Sequence, residues 1–367
     1  MPAAMIDASL QTILQHLEQL VAFDTRNPPR AIDCEGIFGY LRAQLPGFRC
    51  DITDHGAGAV SLLAVRGAPA TVFNVHVDTV PDAPGWSGDP HRLRIGTDRA
   101  TGLGACDIKG AAAGLLTAAA ASDADMALLF SSDEEANDAR CIAGFLATDH
   151  GFRNALVAEP TACRAVLAHR GLESAQVTFH GRAGHASAAD AKQASAVHQA
   201  MRWGSAALDA VDRWDDARFD TLSGLRFNIG RIDGGIKGNV IAPQADARFN
   251  FRPLPGQDPA ELHAAFRAEL PSTAQYITLF GGPALPDGGA QAASRHAAAR
   301  RLAEDWQLPV GDAVDFWTEA ALFSRAGLSA VVYGPGDIAQ AHTVDEWVAL
   351  DQLQHYTDSI LRMLATP

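Results

Sequence analysis

Two adjacent glutamates end the stretch 131–135, whose sequence is SSDEE. This stretch follows an apolar run at 126–130, which predicts a buried strand. Open α/β sheets build their sites beyond the carboxyl ends of their strands. Because neighbouring side chains at a strand end point in different directions, one glutamate can bind a metal ion while the other stays free as a base. A solvated acidic loop is the alternative, and for these residues alone it is the commoner arrangement.

Further residues of metal-ligating types follow predicted strands or a glycine turn. Together with the two glutamates, the set is His76, Asp107, Glu134, Glu135, Glu159 and His342. Imidazole and carboxylate ligands in combination suit zinc, cobalt or manganese. Taken singly, Asp107 could cap the helix that follows it, and each histidine could be an ordinary structural residue. Because these residues recur at successive strand ends, a metal site at that edge of the sheet is the better interpretation.

Other catalytic and nucleotide-binding motifs are missing from the sequence. Gly102 and Gly104 begin a pattern like the dinucleotide fingerprint, but Asp107 occupies the third glycine position. Its negative charge would oppose the pyrophosphate that such a turn normally holds. The chain also lacks a GxSxG elbow and a GxxxxGK[ST] loop. We therefore expect neither nucleotide binding at this turn nor serine-hydrolase chemistry.

The composition is that of a globular protein of 367 residues, long enough for two domains. Its formal net charge of −14 argues against a nucleic-acid partner. No apolar run approaches the length of a membrane-spanning helix. The five cysteines form no CxxC pair, and the first 30 residues lack the pattern of a signal peptide. We therefore expect a cytoplasmic protein without a membrane partner.

The order of predicted elements indicates two domains. Apolar spacing predicts a first helix at 6–23, and strands alternate with helices in both terminal parts of the chain. This alternation predicts an α/β fold with helices on both faces of a sheet. Residues 171–281 instead show half-buried strands and hairpin signals, typical of an α+β domain. We predict a discontinuous catalytic domain, 1–170 and 282–367, with 171–281 inserted as a lid or dimerisation domain.

Motifs spread along the chain carry a family resemblance. They are HVDTVP (76–81), GLGACDIKG (102–110), SSDEE (131–135), EP (159–160), GRAGHAS (181–187), GNVIAP (238–243), FNFRP (249–253) and AHTVDEW (341–347). With these motifs the chain resembles the acetylornithine deacetylase, succinyl-diaminopimelate desuccinylase and aminoacylase family of co-catalytic metallohydrolases. The resemblance implies a two-metal site at the strand ends and hydrolysis of the amide bond of an N-acyl amino acid.

The resemblance also implies a ligand set for up to two Zn²⁺ or Co²⁺ ions per chain. Asp107 would bridge the two ions. His76 and Glu159 would complete one site, and Glu135 and His342 would complete the other. In the family the peptide bond after the bridging aspartate is cis.

The remaining roles implied by the resemblance fall on five residues. Glu134 would be the general base, and Asp78 would fix the orientation of the first histidine ligand. His185, in the inserted domain, would reach the oxyanion, commonly across a dimer. Asn239 and Arg252 would hold the α-carboxylate of the substrate. In the family a proline usually comes directly after the isoleucine of this motif. Here Ala242 lies between Ile241 and the proline, so the turn after Asn239 differs locally.

The substrate is less closely defined than the reaction. The resemblance favours removal of the acetyl group from N-acetyl-L-citrulline in arginine biosynthesis. N-acetylornithine, a succinylated diaminopimelate and a dipeptide are alternatives, because spacing does not reveal the groups of the substrate pocket. A homodimer through the inserted domain is expected. A non-enzymatic alternative is an inactive relative that binds a ligand. Such a protein would lack a metal ligand or the base, whereas here every expected position is filled.

Overall fold

The computed structural model describes residues 8–136 and 138–365. Its helices are α1 (Ala8–Ala22), α2 (Gly36–Ala43), α3 (Gly110–Ala121), α4 (Arg140–Leu146), α5 (Ala191–Ala194), α6 (Ala196–Val211), α7 (Pro259–Ala268), α8 (Ala292–Asp305), α9 (Ala320–Arg325) and α10 (Leu350–Ala365). The start of the predicted first helix and the outermost residues of the predicted catalytic domain lie outside the described residues.

The strands include several very short ones. They are β1 (Arg49–Asp54), β2 (Val60–Arg66), β3 (Thr71–His76), β4 (Arg94–Ile95), β5 (Arg99–Thr101), β6 (Met126–Ser131), β7 (Asn154–Val157), β8 (Leu172–His180), β9 (Gly184–His185), β10 (Arg218–Phe219), β11 (Leu222–Ser223), β12 (Arg226–Gly234), β13 (Val240–Ile241), β14 (Gln244–Arg252), β15 (Gln275–Gly282), β16 (Ser329–Val332) and β17 (Trp347–Ala349).

The chain divides into two compact units. The first consists of Met1–Leu167, Ser294–Gly311 and Thr318–Pro367, and the second of Ala168–Ala293 and Asp312–Trp317. The second unit is wider than the predicted domain at 171–281, and it takes in a short segment far along the chain. Within this unit the Asp315 carboxylate of that segment pairs with the buried guanidinium of Arg170.

The first unit contains a six-stranded sheet in the order β1-β2-β6-β3-β7-β16. Strands β6, β3, β7 and β16 are parallel to one another. At one edge β2 pairs antiparallel with β6, and β1 pairs antiparallel with β2. Every residue of β6 is buried, which fits its continuous apolar sequence and its central position. Because the parallel strands share one direction, their carboxyl ends meet at the same edge of the sheet.

Helices cover both faces of this sheet, so the predicted α/β class is confirmed. Leu128 and Phe130 pack in one core with helices α1, α3 and α10. Ala127 and Leu129 point to the opposite face and are also buried. On that side α9 packs against β16 and β7. Within the part of the chain that the structure describes, no helix is long and apolar enough to cross a membrane.

The second unit contains a four-stranded antiparallel sheet in the order β12-β14-β8-β15. Residues along β8 alternate between buried and partly exposed, as expected for a strand with one packed face. Helices α6 and α7 supply Trp203 and Phe266 to a core that also contains Phe249 and Phe251 of β14. The aromatic rings in this core give the second unit an interior of its own.

Candidate metal centre

Three parallel strands bring predicted ligand residues to one edge of the sheet in the first unit. His76 is the last residue of β3, and Glu159 lies just beyond the end of β7. Glu135 lies in the turn that follows β6, which pairs with β3. The backbone therefore delivers these three side chains to the same place because their strands run side by side in one direction.

Asp107 reaches the same place from a segment that lies between β5 and α3. Gly104 has a φ of 76°, and a Cβ there would lie 2.6 Å from the Thr79 side chain, so the turn needs glycine. The Asp107–Ile108 peptide bond is cis, as the family resemblance implies. Helix α3 has no side-chain cap. The alternative role of Asp107 as a helix cap is therefore not what the structure shows.

The side chains form two groups that share Asp107. In the first group, His76 Nε2 lies 3.1 Å from Asp107 Oδ1 and 4.0 Å from Glu159 Oε1. In the second, His342 Nε2 lies 2.8 Å from Glu135 Oε1 and 3.4 Å from Asp107 Oδ2. Within each group the ligand atoms lie no more than 4.8 Å apart. One carboxylate therefore presents one oxygen to each group, as a bridging ligand must.

The chemistry of this set fits a pair of divalent cations. Imidazole nitrogen and carboxylate oxygen are the ligands that zinc and similar ions take in hydrolytic sites. Glu159 is 5% exposed, and among the described residues its Oε1 has no hydrogen-bond donor. A buried carboxylate oxygen without a donor is costly unless a cation approaches it.

The electrostatics of the site also favour added positive charge. Burial raises the pKa of Glu159, and the nearby carboxylates of Asp107 and Glu135 raise it further. Hydrogen bonds to Asp107 and Glu135 raise the pKa of His342 to about 10. Besides the burial of Glu159, both shifts reflect an excess of carboxylates over cations at this edge of the sheet. Protons or metal ions relieve that excess.

Asp78 is a buried residue that contacts the ligand residues His76 and Glu135. It is completely buried, and its Oδ1 lies 3.4 Å from His76 Nδ1. Its Oδ2 accepts hydrogen bonds from Asn27 Nδ2 at 2.8 Å and from the backbone N–H of Glu135 at 3.0 Å. The carboxylate thus contacts a ligand residue of each group. The backbone carbonyl oxygen of Asp78 lies 3.1 Å from His76 Nδ1, and this contact leaves Nε2 facing the other ligands.

Glu134 lies next to the site but belongs to neither ligand group. Its side chain is partly buried. Burial raises the pKa of Glu134, and the carboxylates of Glu135 and Glu159 raise it further. The two adjacent glutamates therefore differ as the strand-end argument predicts, with Glu135 turned to His342 and Glu134 left without a ligand contact.

The other predicted site residues, His185, Asn239 and Arg252, lie in the second unit. His185 is on β9, which pairs with β13, and the backbone N–H of Ala186 donates to the carbonyl oxygen of Asn239. Arg252 is the last residue of β14 and is partly buried. The structure therefore places His185 and Asn239 on one short ribbon, and Arg252 at the end of the central sheet of that unit.

Sequence reasoning missed several supporting residues. Glu346 is 2% exposed, and its carboxylate accepts hydrogen bonds from three backbone N–H groups ahead of and at Asp107. Asn27 holds Asp78. Glu319 is 2% exposed and accepts a hydrogen bond from the Ser131 hydroxyl at 2.9 Å. Only Glu346 had a usable signal, because it lies in the same short motif as His342.

Comparisons with known proteins agree with this geometry. Residues 167–276 match the M20_dimer model, a peptidase dimerisation domain. The chain is 61% identical to the N-acetyl-L-citrulline deacetylase of Xanthomonas campestris pv. campestris, over 97% of this chain and 98% of that protein. It is 30% identical to the acetylornithine deacetylase of Myxococcus xanthus, over 97% and 98% of the two chains.

A similar fold occurs in an M20 family metallo-carboxypeptidase of Sulfolobus solfataricus, with a TM-score of 0.72 and 16% identity over 98% of this chain and 99% of that one. The fold and the paired ligand groups thus define a metallohydrolase. The chain belongs to the M20 family, in the group that contains the acetylornithine and N-acetyl-L-citrulline deacetylases.

Proposed function

We propose that the protein hydrolyses N-acetyl-L-citrulline to L-citrulline and acetate as a metal-dependent deacetylase of arginine biosynthesis. The observation that carries the reaction class is the carboxylate of Asp107, which presents one oxygen to each of two ligand groups while Glu134 stays outside both. The choice of substrate is supported by the 61% identity to a relative named for that activity.

In this proposal five side chains hold two divalent cations, Zn²⁺ or Co²⁺: His76, Asp107, Glu135, Glu159 and His342. When bound, the cations lower the pKa of water and polarise the acyl carbonyl of the substrate. Asp78 keeps His76 in the tautomer whose unprotonated Nε2 faces the other ligands, because Nδ1–H donates to the backbone carbonyl oxygen of Asp78 at 3.1 Å.

Glu134 carries the proton through the reaction. Its carboxylate takes a proton from the attacking water as the water oxygen bonds to the acyl carbon. The C–N bond of the amide then breaks, and Glu134 delivers that proton to the departing amine nitrogen. The products are acetate and the free amino acid. Glu134 is available for this task because its carboxylate belongs to neither ligand group.

Residues of the second unit bind the rest of the substrate. His185 Nδ1 accepts a hydrogen bond from the backbone N–H of Ser187 at 3.2 Å. This contact leaves Nε2 as the protonated nitrogen, which can donate to the developing oxyanion. Asn239 and the guanidinium of Arg252 bind the α-carboxylate, for which a planar two-pronged donor is well suited.

Assembly and location are part of the same proposal. The match of residues 167–276 to a peptidase dimerisation domain supports a homodimer formed through the second unit. All five cysteines are free thiols, which supports a cytoplasmic enzyme, because a reducing compartment keeps thiols unpaired.

The test is a panel of kcat/KM values for N-acetyl-L-citrulline, N-acetyl-L-ornithine and N-succinyl-diaminopimelate, measured on enzyme reconstituted with Zn²⁺ and, separately, with Co²⁺. We expect the acetylated citrulline to be the best substrate. A preference for the ornithine compound would keep the reaction and replace the substrate. A preference for the succinylated compound would show that both the proposed acyl group, acetyl, and the proposed amino acid, citrulline, are wrong.

A further inference from the structure

Glu346 is a buried carboxylate that contacts backbone rather than side chains. Its Oε1 accepts hydrogen bonds from the N–H groups of Cys106 at 2.9 Å and Asp107 at 3.0 Å. Its Oε2 accepts from the N–H of Gly104 at 3.0 Å. Both oxygens are therefore used to hold one short segment, 104–107. Hydrogen bonds to an ionised acceptor are stronger than those between neutral groups.

The backbone around Glu346 holds the residues that come just before this segment. The N–H of Gly102 donates to the carbonyl oxygen of Glu346 at 3.0 Å. The next residue, Trp347, begins β17 and pairs with Thr101 of β5. Two parts of the chain that are distant in sequence are thus joined by a strand pair and then by the carboxylate.

The segment before Asp107 needs such support because it is irregular. Asp107 itself has a φ of −122° and a ψ of 87°, so it is not helical. Cys106 is completely buried and Asp107 is 7% exposed, so their N–H groups cannot turn to water. Without the carboxylate, these buried donors would lose the one acceptor that they have among the described residues. Native structures avoid buried donors without an acceptor.

Glu346 also connects the segments that carry two of the three residues of the second ligand group. His342 precedes it on the same loop, and His342 Nε2 lies 3.4 Å from Asp107 Oδ2. The carboxylate of Glu346 therefore determines the position of Asp107 relative to the loop that contains His342. Because Asp107 belongs to both ligand groups, an error in its position affects both.

We infer that Glu346 is a positioning residue that holds Asp107 in its bridging position, so that loss of its carboxylate weakens both metal sites together. This inference rests on the proposed two-metal centre. Glu346 touches neither the substrate nor the reacting atoms. Its effect passes through the backbone of segment 104–107.

The test variant is Glu346→Gln, which keeps the size of the side chain but replaces one oxygen with an N–H₂ group. Whichever way the amide turns, this donor faces at least one backbone N–H. We expect the affinities of both sites for Co²⁺ to fall at least tenfold in competition with a chromophoric chelator. The visible absorption of the Co²⁺-loaded variant should change, and kcat should fall while KM stays close to the wild-type value.

The matched control is Asp345→Asn, one residue earlier on the same loop. The Asp345 carboxylate is partly exposed and contacts Ser87 and Arg94 rather than segment 104–107. We expect this variant to bind two Co²⁺ ions with wild-type affinity and spectrum. If it behaves like Glu346→Gln, any disturbance of the loop weakens the metals and the specific role of the Glu346 carboxylate is rejected.

If Glu346→Gln fails to fold, amide hydrogen exchange on the wild-type enzyme tests the same inference. We expect peptides that contain segment 104–107 to be protected in the metal-free protein, because Glu346 holds these amides without a metal. Rapid exchange that slows only when Co²⁺ is added would overturn the inference.

The two proposals fail in different ways. Wild-type enzyme that binds fewer than two ions would reject the two-metal centre. Wild-type enzyme that binds two ions, with Glu346→Gln matching its affinities and spectrum, would reject only the role of Glu346.

Discussion

His342 Nε2 lies 2.8 Å from Glu135 Oε1, although 207 residues separate the two in the chain. His342 is carried by the loop after β16, and Glu135 by the turn after β6. Their contact forms only when the sheet of the first unit is complete. A cation held by these two residues and Asp107 should therefore bind the folded state alone and stabilise it, by an amount that grows with its free concentration.

Replacing His342 with alanine should remove one metal and leave the other. The first ligand group, with His76 and Glu159, does not contain His342. We expect metal analysis to find about one ion per chain, and the rise in Tm on adding Zn²⁺ to be smaller than in the wild type. His185→Ala, in the second unit, should keep both ions. Two tightly held ions in His342→Ala would contradict the assigned ligand set.

Replacing Glu134 with glutamine should stop turnover without emptying the site. The variant keeps the shape of the side chain but has no group that can take a proton from water. We expect kcat to fall by about 10²–10⁴-fold, the usual contribution of a general base. Metal content should stay at the wild-type value, because Glu134 belongs to neither ligand group. A kcat within a few-fold of the wild type would remove Glu134 from this role.

Replacing Arg252 with lysine should weaken substrate binding. Lysine keeps the positive charge but loses the two-pronged contact with a carboxylate. We expect kcat/KM to fall by about 10- to 100-fold, the range for losing a charged hydrogen bond. The matched control is Arg248→Lys on the same strand, because Arg248 is exposed and contacts Gln176. Equal losses in both variants would point to a general effect on β14.

Glu319 should make the stability of the metal-free enzyme fall as pH rises. Burial raises the pKa of its carboxyl to about 8, from an ordinary value of 4.5, so the folded chain keeps a proton that the unfolded chain releases between these values. Across that window stability should drop by at most about 1.4 kcal/mol per pH unit. Glu319→Gln cannot release this proton, so its stability should decline less.

Urea denaturation in the presence of a chelator, at pH 5 and at pH 8, measures this effect. The wild type should lose more stability than Glu319→Gln between the two pH values. Glu261→Gln, at an exposed position on α7, should follow the wild type. Equal pH dependence in all three proteins would show that Glu319 does not hold its proton when folded.

The central strands and the long helices could be predicted from the sequence because their signals are local. The apolar run predicted as a strand at 126–130 forms β6, Met126–Ser131, and the helix predicted at 6–23 forms α1 over Ala8–Ala22 within the described residues. Each segment buries a continuous or periodic set of apolar residues, so its own composition determines its structure. Three of the predicted ligand residues, His76, Glu135 and Glu159, could be proposed for a related reason, because they lie at or just beyond the ends of such strands.

Other parts depend on contacts that no local pattern records. Strand β1 was missed because it lies at an exposed sheet edge and its sequence RCDITD offers only two apolar residues, Cys50 and Ile52, which is a weak strand signal. Strands β5 and β17 have three residues each and exist through their pairing with one another. That pairing brings Glu346 to the N–H groups of segment 104–107, so its contacts became visible only in the folded chain.

The most direct test of the two-metal account is a titration of exhaustively chelated enzyme with Zn²⁺ or Co²⁺, assayed on N-acetyl-L-citrulline. We predict that chelation abolishes deacetylation, and that activity returns as metal is added and stops rising at two equivalents per chain. Full activity after chelation, or activity that does not depend on the amount of metal added, would contradict the account.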